Sequence, residues 1–319
     1  MMRITSLPYA AAAVALTATA CGSSQPNASD QTIPPADTPT TDSVPSVTLT
    51  PNAADPLPVD PSPDAAAPGD DVVLELSITG GFMMRKAAFK QTPAVLITAD
   101  GTVYFPGITT DEYPGSFLDP TFTISIDDPA LADVLAAADA AGMLTDVDYS
   151  QDSLIADAPT TVLAVRDDAD VYVHSADALG INSGGPGQDA GEQSSERAAL
   201  SGFINDVAPL TGIFDAPPVA FVPDSFDMIA FEVADPDTFA GDGLDATVVE
   251  WPAGAEVTLR DALVGSSAAA CVTVDATAVR DVFGAADELT LFSHDNSVFQ
   301  VVVRPTLPGF DCATGHWYE

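Results

Sequence analysis

Residues 121–142 read TFTISIDDPALADVLAAADAAG, a strand-like run that becomes a helix within two residues. The first six are rich in Thr, Ile and Phe, which suit a pleated, half-buried strand. Asp127-Asp128-Pro129 then supplies a capping carboxylate and a proline at the first helical turn, where its missing N–H would have had no partner. Leu131, Val134, Leu135 and Ala138 recur at i, i+3, i+4 and i+7, and Gly142 provides the stop. An apolar helical stripe directly after a strand predicts a helix laid on one face of a sheet.

The flanking segments extend this pattern. Upstream, VVLELSITGG (72–81) and AVLITADGTVYF (94–105) read as three strands. The last two are joined at Asp100-Gly101 by a predicted type I′ turn with φ > 0 at both central residues. Downstream, strands are expected at 161–165 and 171–174, and a helix near 190–207 with Leu200, Phe203, Ile204 and Val207 inward. Beyond Pro217-Pro218 come strands at 228–233 and 247–251, then a helix from Asp275 with Val279, Val282 and Phe283 inward. A hairpin of 289–292 and 298–303 around Asp295-Asn296 completes the unit. The order helix, strand, turn, strand thus occurs at 129–174 and again at 275–303. It predicts an α+β fold of mostly antiparallel sheets with a helix packed on one face, arranged as two similar sub-domains, 71–215 and 216–319.

Length and charge bound the function. The chain has 319 residues, with nine Lys plus Arg against 47 Asp plus Glu, 38 of them Asp, for a net charge of −38. Such a surface repels phosphate backbones and anionic lipid headgroups, so nucleic acid is not an expected partner. At 46% hydrophobic residues the chain is too apolar to be a disordered acidic tail.

Residues 1–20 carry one charge, Arg3, followed by the short apolar run YAAAAVALTATA, the layout of a secretory signal. The segment ends Ala18-Thr19-Ala20-Cys21-Gly-Ser-Ser and resembles the lipobox of bacterial lipoproteins. That resemblance implies cleavage before Cys21, a diacylglycerol on its thiol, and anchorage to the extracytoplasmic side of the cell membrane. The two remaining cysteines, Cys271 and Cys312, read as a disulfide in an exported chain. Closing a loop of about 42 residues would stabilise the fold by roughly 4 kcal/mol on the chain-entropy model. From Gly22 to Asp70 the chain has eleven prolines among Ser, Thr, Asp and Ala, and no Lys, Arg or aromatic residue. The lipidated Cys and this stretch, 21–70, are therefore expected to form a disordered tether, reaching about 150 Å as polyproline II at roughly 3.1 Å per residue.

Chemistry-bearing patterns are few. The run DVDYSQDSLIAD (146–157) sets oxygen ligands at EF-hand-like positions, with Asp146, Asp148, Asp152 and Asp157 as candidate calcium ligands. It departs from that loop at Gln151, where the turn needs Gly, and at Asp157, where a bidentate Glu is usual. GDGLDA (241–246) looks like one copy of a calcium-binding nonapeptide, whose repeats work by stacking. No other cofactor is called for. His174, His294 and His316 form no metal or nucleophile motif, and His174 and Ser175 would point to opposite faces of a strand. The glycine-rich run 183–192 lacks the Lys-Ser/Thr ending of a phosphate loop and carries Asp189 and Glu192 where an anion would dock.

One segment runs against the global charge. Arg85, Lys86 and Lys90 fall within six residues beside Phe82, Met83, Met84 and Phe89. Two readings stand: a partner-binding loop, adaptable through methionine, formed by Phe82, Met83, Met84, Arg85, Lys86 and Lys90, or a packed segment whose cations neutralise nearby Asp.

Several strings carry a family resemblance: GGF (80–82), DGTVYFPG (100–107), DYSQDSLIADAPTT (148–161), Trp251-Pro252, Cys271, and the ending VVVRPTLPGFDC with Arg304-Pro305, Leu307-Pro308 and Cys312. Over most of 72–312 the chain resembles a family of uncharacterised actinobacterial secreted lipoproteins. The resemblance implies a lipid anchor, a Pro-rich tether and a closing Cys271–Cys312 bridge, and brings no activity. The resulting expectation is a non-enzymatic surface lipoprotein whose ectodomain binds an envelope protein or a small ligand. The alternative is a secreted hydrolase using Asp/Glu carboxylates, assisted by calcium.

Overall fold

The computed structural model describes residues 71–109, 112–149, 157–168, 170–181, 194–207, 217–241, 243–265, 271–312 and 315–316. The fold is α+β, built on two mostly antiparallel sheets. The first contains β1 (Val72–Gly80), β2 (Val95–Thr98), β3 (Thr102–Pro106), β4 (Thr121–Ser125), β5 (Pro159–Asp167), β6 (Asp170–Asp177) and β7 (Val219–Ala220). Their order is β6-β5-β1-β2-β3-β4-β7, every neighbour antiparallel. The second contains β8 (Ser225–Glu232), β9 (Thr247–Glu250), β10 (Val272–Asp275), β11 (Thr290–His294) and β12 (Ser297–Pro305), in the order β10-β8-β12-β11-β9. Only the β9–β11 pair in this sheet is parallel. A two-stranded ribbon, β13 (Phe310–Asp311) with β14 (Gly315–His316), follows.

Four helices complete the described chain: α1 (Arg85–Lys90), α2 (Asp128–Ala140), α3 (Ser195–Val207) and α4 (Ala276–Ala285). Helix α2 starts as its sequence dictates, with the Asp127 carboxylate accepting the Ala130 N–H at 3.0 Å. It stops at Gly142, whose φ of +81° lets the Met143 N–H reach back to the Ala138 carbonyl at 2.8 Å. Helix α4 is capped likewise by Asp275, which accepts from the Thr277 N–H.

The two sheets differ in how their hairpins attach. Strand β5, the first of the hairpin that follows α2, pairs with β1, whereas β12, the second of the hairpin that follows α4, pairs with β8. The similar element order is thus wired oppositely. Turn chemistry differs from expectation as well. At Asp100-Gly101 only Gly101 has positive φ, +79°, and the Asp100 carboxylate closes the loop by accepting from the Thr98 hydroxyl at 2.6 Å and the Thr102 N–H at 3.0 Å. A Cβ at Gly101 would collide with the Ile126 carbonyl oxygen. The turn with positive φ at both centres is Asp295-Asn296, at +49° and +62°, joining β11 to β12.

Each sheet has its own core. Leu74, Leu76, Ile97 and Leu163 of the first sheet pack against Val134 of α2 and Leu200 of α3. The opposite face carries Val72 and Leu96, which are covered by Leu307 and Phe310 from the C-terminal end. In the second sheet, Phe226, Trp251, Phe292 and Phe299 meet Val279 and Phe283 of α4. This cluster includes Phe117 from the β3–β4 connection, whose ring centroid lies 5.1 Å from that of Phe283 and 5.6 Å from that of Phe292. Gly115 and Glu288 hold it there: the Glu288 N–H donates to the Gly115 carbonyl at 3.1 Å, and the Gly115 N–H donates to Glu288 Oε2 at 3.2 Å.

Candidate functional site

Helix α1 has six residues and receives no side-chain hydrogen bond at its N-cap, too little to be stable alone. Packing on β12 of the second sheet holds it in place. Successive β12 side chains alternate between faces, so Phe299, Val301 and Val303 enter the aromatic core while Gln300 and Arg304 point to the side that α1 covers. Lys86 donates to Gln300 Oε1 and sits 5.0 Å from the Phe231 ring centroid. Lys90 ion-pairs with Asp119 at 3.7 Å. Phe89 receives the Arg304 guanidinium over its ring at 5.0 Å.

Arg304 belongs to the framework. Its guanidinium is also 5.3 Å from the Phe310 ring and donates to Asp227 Oδ2 at 3.4 Å. Asp227 is fully buried, and its other oxygen accepts from the hydroxyls of Thr273 at 2.8 Å and Thr306 at 3.1 Å. The Arg304-Pro305 string therefore locks α1, the C-terminal end and β8 together. Cys271 and Cys312 form a disulfide with a Cα–Cα distance of 5.3 Å, tying the start of β10 to the same end.

The segment read as a partner-binding loop is thus a helix with an exposed approach. Phe82 is 91% and Met84 76% exposed, with Met83 and Arg85 also exposed, while Lys86 and Lys90 are half-buried. Below α1 opens a cavity of about 320 Å³ lined by Met84, Lys86, Lys90, Tyr113, Phe117 and Leu289. A neighbouring hollow of about 450 Å³ shares Tyr113 and Glu288 with it and reaches Ile108 and Asp119. Burial pulls the Lys86 amine below its ordinary value. The residues of this cavity come from five separated stretches of chain, and only the basic cluster signalled it in the sequence.

Other candidate residues lie elsewhere. Asp146 and Asp148 are exposed on the segment after α2, Asp157 is exposed with a φ of +59°, and Asp152 lies outside the described residues. Among the described residues no group of three or more His, Cys, Asp or Glu side chains could hold a metal ion. Cys21, the tether and the run 183–192 also lie outside the described residues. No helix among the described residues is long and apolar enough to cross a membrane.

His174 is a structural residue. It is buried, with Nε2 donating to the Met143 carbonyl at 2.8 Å and Nδ1 accepting from the Tyr149 hydroxyl at 3.0 Å. Burial lowers its pKa, against smaller opposing effects of the Met143 carbonyl and the Asp146 charge. His294 Nε2 stands 3.5 Å from Asp295 Oδ2 beside a hollow of about 640 Å³ next to Trp251. The Trp251 ring does not face a ligand there: it is buried and donates Nε1–H to the Val257 carbonyl at 3.1 Å. Asp100, Asp261 and Asp275 have lowered pKa values because hydroxyl donors hold them, Thr98, Thr258 and Thr277 respectively, in turns and a helix cap. These carboxylates are tied into the backbone rather than poised in a cleft.

Compared with protein-family models, curated proteins and solved structures, the chain matches none.

Proposed function

We propose that the protein is a lipoprotein held on the extracytoplasmic face of the membrane by a diacylglycerol on Cys21, and that its two-sheet ectodomain is a non-enzymatic binding module. Its ligand is a small molecule or envelope protein received at α1. The observation that carries the anchor is the string Ala18-Thr19-Ala20-Cys21 at the end of a short apolar leader, followed by 49 residues without a base or an aromatic ring. The Cys271–Cys312 bridge supports an oxidising compartment. The exposed Phe82 and Met84 beside an open cavity support a binding role for α1. Carboxylates held in caps and turns, and a histidine with both ring nitrogens engaged, lend nothing to a hydrolase reading.

Metabolic labelling with palmitate tests the anchor. The natural chain is expected to take up label and partition with membranes, and Cys21→Ala to lose both. A Cys21→Ala chain that still partitions with membranes refutes the anchor.

A further inference from the structure

We propose that the cavity beneath α1 binds a small monocarboxylate with an apolar tail, a medium-chain acyl anion, whose head is received by Lys86. This names the ligand class for the binding role above and rests on that reading.

Lys86, a cation lining the cavity, is what points to a ligand. In a chain with 47 acidic and nine strongly basic residues, its half-buried ammonium has no carboxylate within ion-pair distance among the described residues. Its partners are a neutral amide, Gln300 Oε1, and the face of Phe231. An ammonium carries three N–H donors, so a donor and the whole positive charge are available to a ligand. The contrast with its neighbours is direct: Lys90 is matched by Asp119 and Arg304 by Asp227. Burial already weakens the hold of the Lys86 amine on its proton, and a bound carboxylate would reverse that shift.

The rest of the cavity selects the tail. Phe117, Phe239, Leu289 and Val302 give it an apolar lining, and Met84 at its mouth is a flexible thioether that adapts to chain shape. Glu288, the acid of the lining, is held on the loop by its bond from the Gly115 N–H. It fixes polarity within the cavity, since an anionic head is drawn to Lys86 and away from Glu288, and a second negative charge on the ligand would meet it.

The field of the whole chain restricts the ligand further. A net charge of −38 repels an acidic polymer along its whole length. A single charge seated on an ammonium is screened from distant carboxylates beyond a Debye length of about 8 Å. A small monoanion therefore fits where a polyanion does not.

The test uses the full chain carrying Cys21→Ala, so that its own acyl chains cannot compete, with decanoate and decanol as probes in calorimetric titration. Decanoate is expected to bind at least about tenfold tighter than decanol, the difference a charge-assisted hydrogen bond makes. Lys86→Gln is expected to remove that difference, whereas Met84→Ser weakens binding of both probes. In the chain with Lys86 intact, decanoate should raise the Lys86 titration midpoint read by lysine-selective NMR. Equal affinity for the two probes, no decanoate binding, or an unmoved Lys86 midpoint each overturns the proposal. Failure here leaves palmitate labelling of Cys21, and capture of an envelope protein by an intact α1, to decide the broader reading separately.

Discussion

The first sheet closes its helical face mainly with aliphatic side chains, whereas the second closes an aromatic cluster with a ring borrowed from the β3–β4 connection. Leu74, Leu76, Ile97 and Leu163 meet residues of α2 and α3, all within 72–207. Around Phe283 the second core stacks Phe226, Trp251 and Phe292, and Phe117 makes the fourth contact. Aliphatic side chains fill space with little directional demand. Rings meet edge to face, so each position depends on the others. The second core is therefore the more exacting, and it is the one completed from outside its own strands.

The sharpest way to break this comparison is Phe117→Ala. Removing a buried ring costs about 3–5 kcal/mol, and the loss of amide protection is expected to concentrate in 225–303 rather than 72–207. Hydrogen exchange that weakens equally in both regions would show the two cores to be one cooperative unit.

Next in size is Arg304→Met. Removing one partner of a buried ion pair costs about 3 kcal/mol or somewhat more, because the buried Asp227 carboxyl is left with two hydroxyl partners in place of the guanidinium. Denaturant melts should show the loss, and Asp227→Leu combined with Arg304→Met should recover much of it. A double variant no more stable than the single would mean that stacking on Phe89 and Phe310, not charge, carries the contribution.

The smallest effect tests the first region through His174. Its pKa is lowered from the ordinary 6.5 mainly by burial, so the native chain resists a proton that the unfolded chain accepts. Stability is full above that ordinary value and falls as pH drops from it toward the native midpoint, by at most about 1.4 kcal/mol per pH unit. Melts between pH 7 and 5 should slope downward, and His174→Asn should be flat there. A natural chain that is flat in this window would show that His174 takes its proton without disturbing Tyr149 or Met143.

Much of the framework was legible because it is written locally. The stripe Leu131, Val134, Leu135 and Ala138 with Asp127 and Gly142 at its ends marks α2, and Asp275 with Val279 and Phe283 marks α4. What escaped depends on distant chain. RKAAFK has too few residues to declare a helix and becomes one on the surface of β12. The parallel β9–β11 pair joins strands with α4 and β10 between them, and nothing in TVVE shows its direction. Phe117 sits in a run of Gly, Ser and Pro that reads as loop, and its burial follows from the Gly115–Glu288 bonds. Of the candidate site, the basic cluster was visible in the sequence. That Lys90 and Arg304 find acids while Lys86 does not follows from what lies next to each in space: Asp119 of the β3–β4 connection, Asp227 of β8 and Gln300 of β12.

The covering of Val72 and Leu96 by Leu307 and Phe310 has a consequence for the order of assembly. The first described strand is sealed by side chains from 307–310, and the bond that secures this end uses Cys312. Contacts so far apart along the chain slow folding, because a large loop must close before they form. A nascent chain that has reached only residue 306 cannot yet cover Val72 and Leu96.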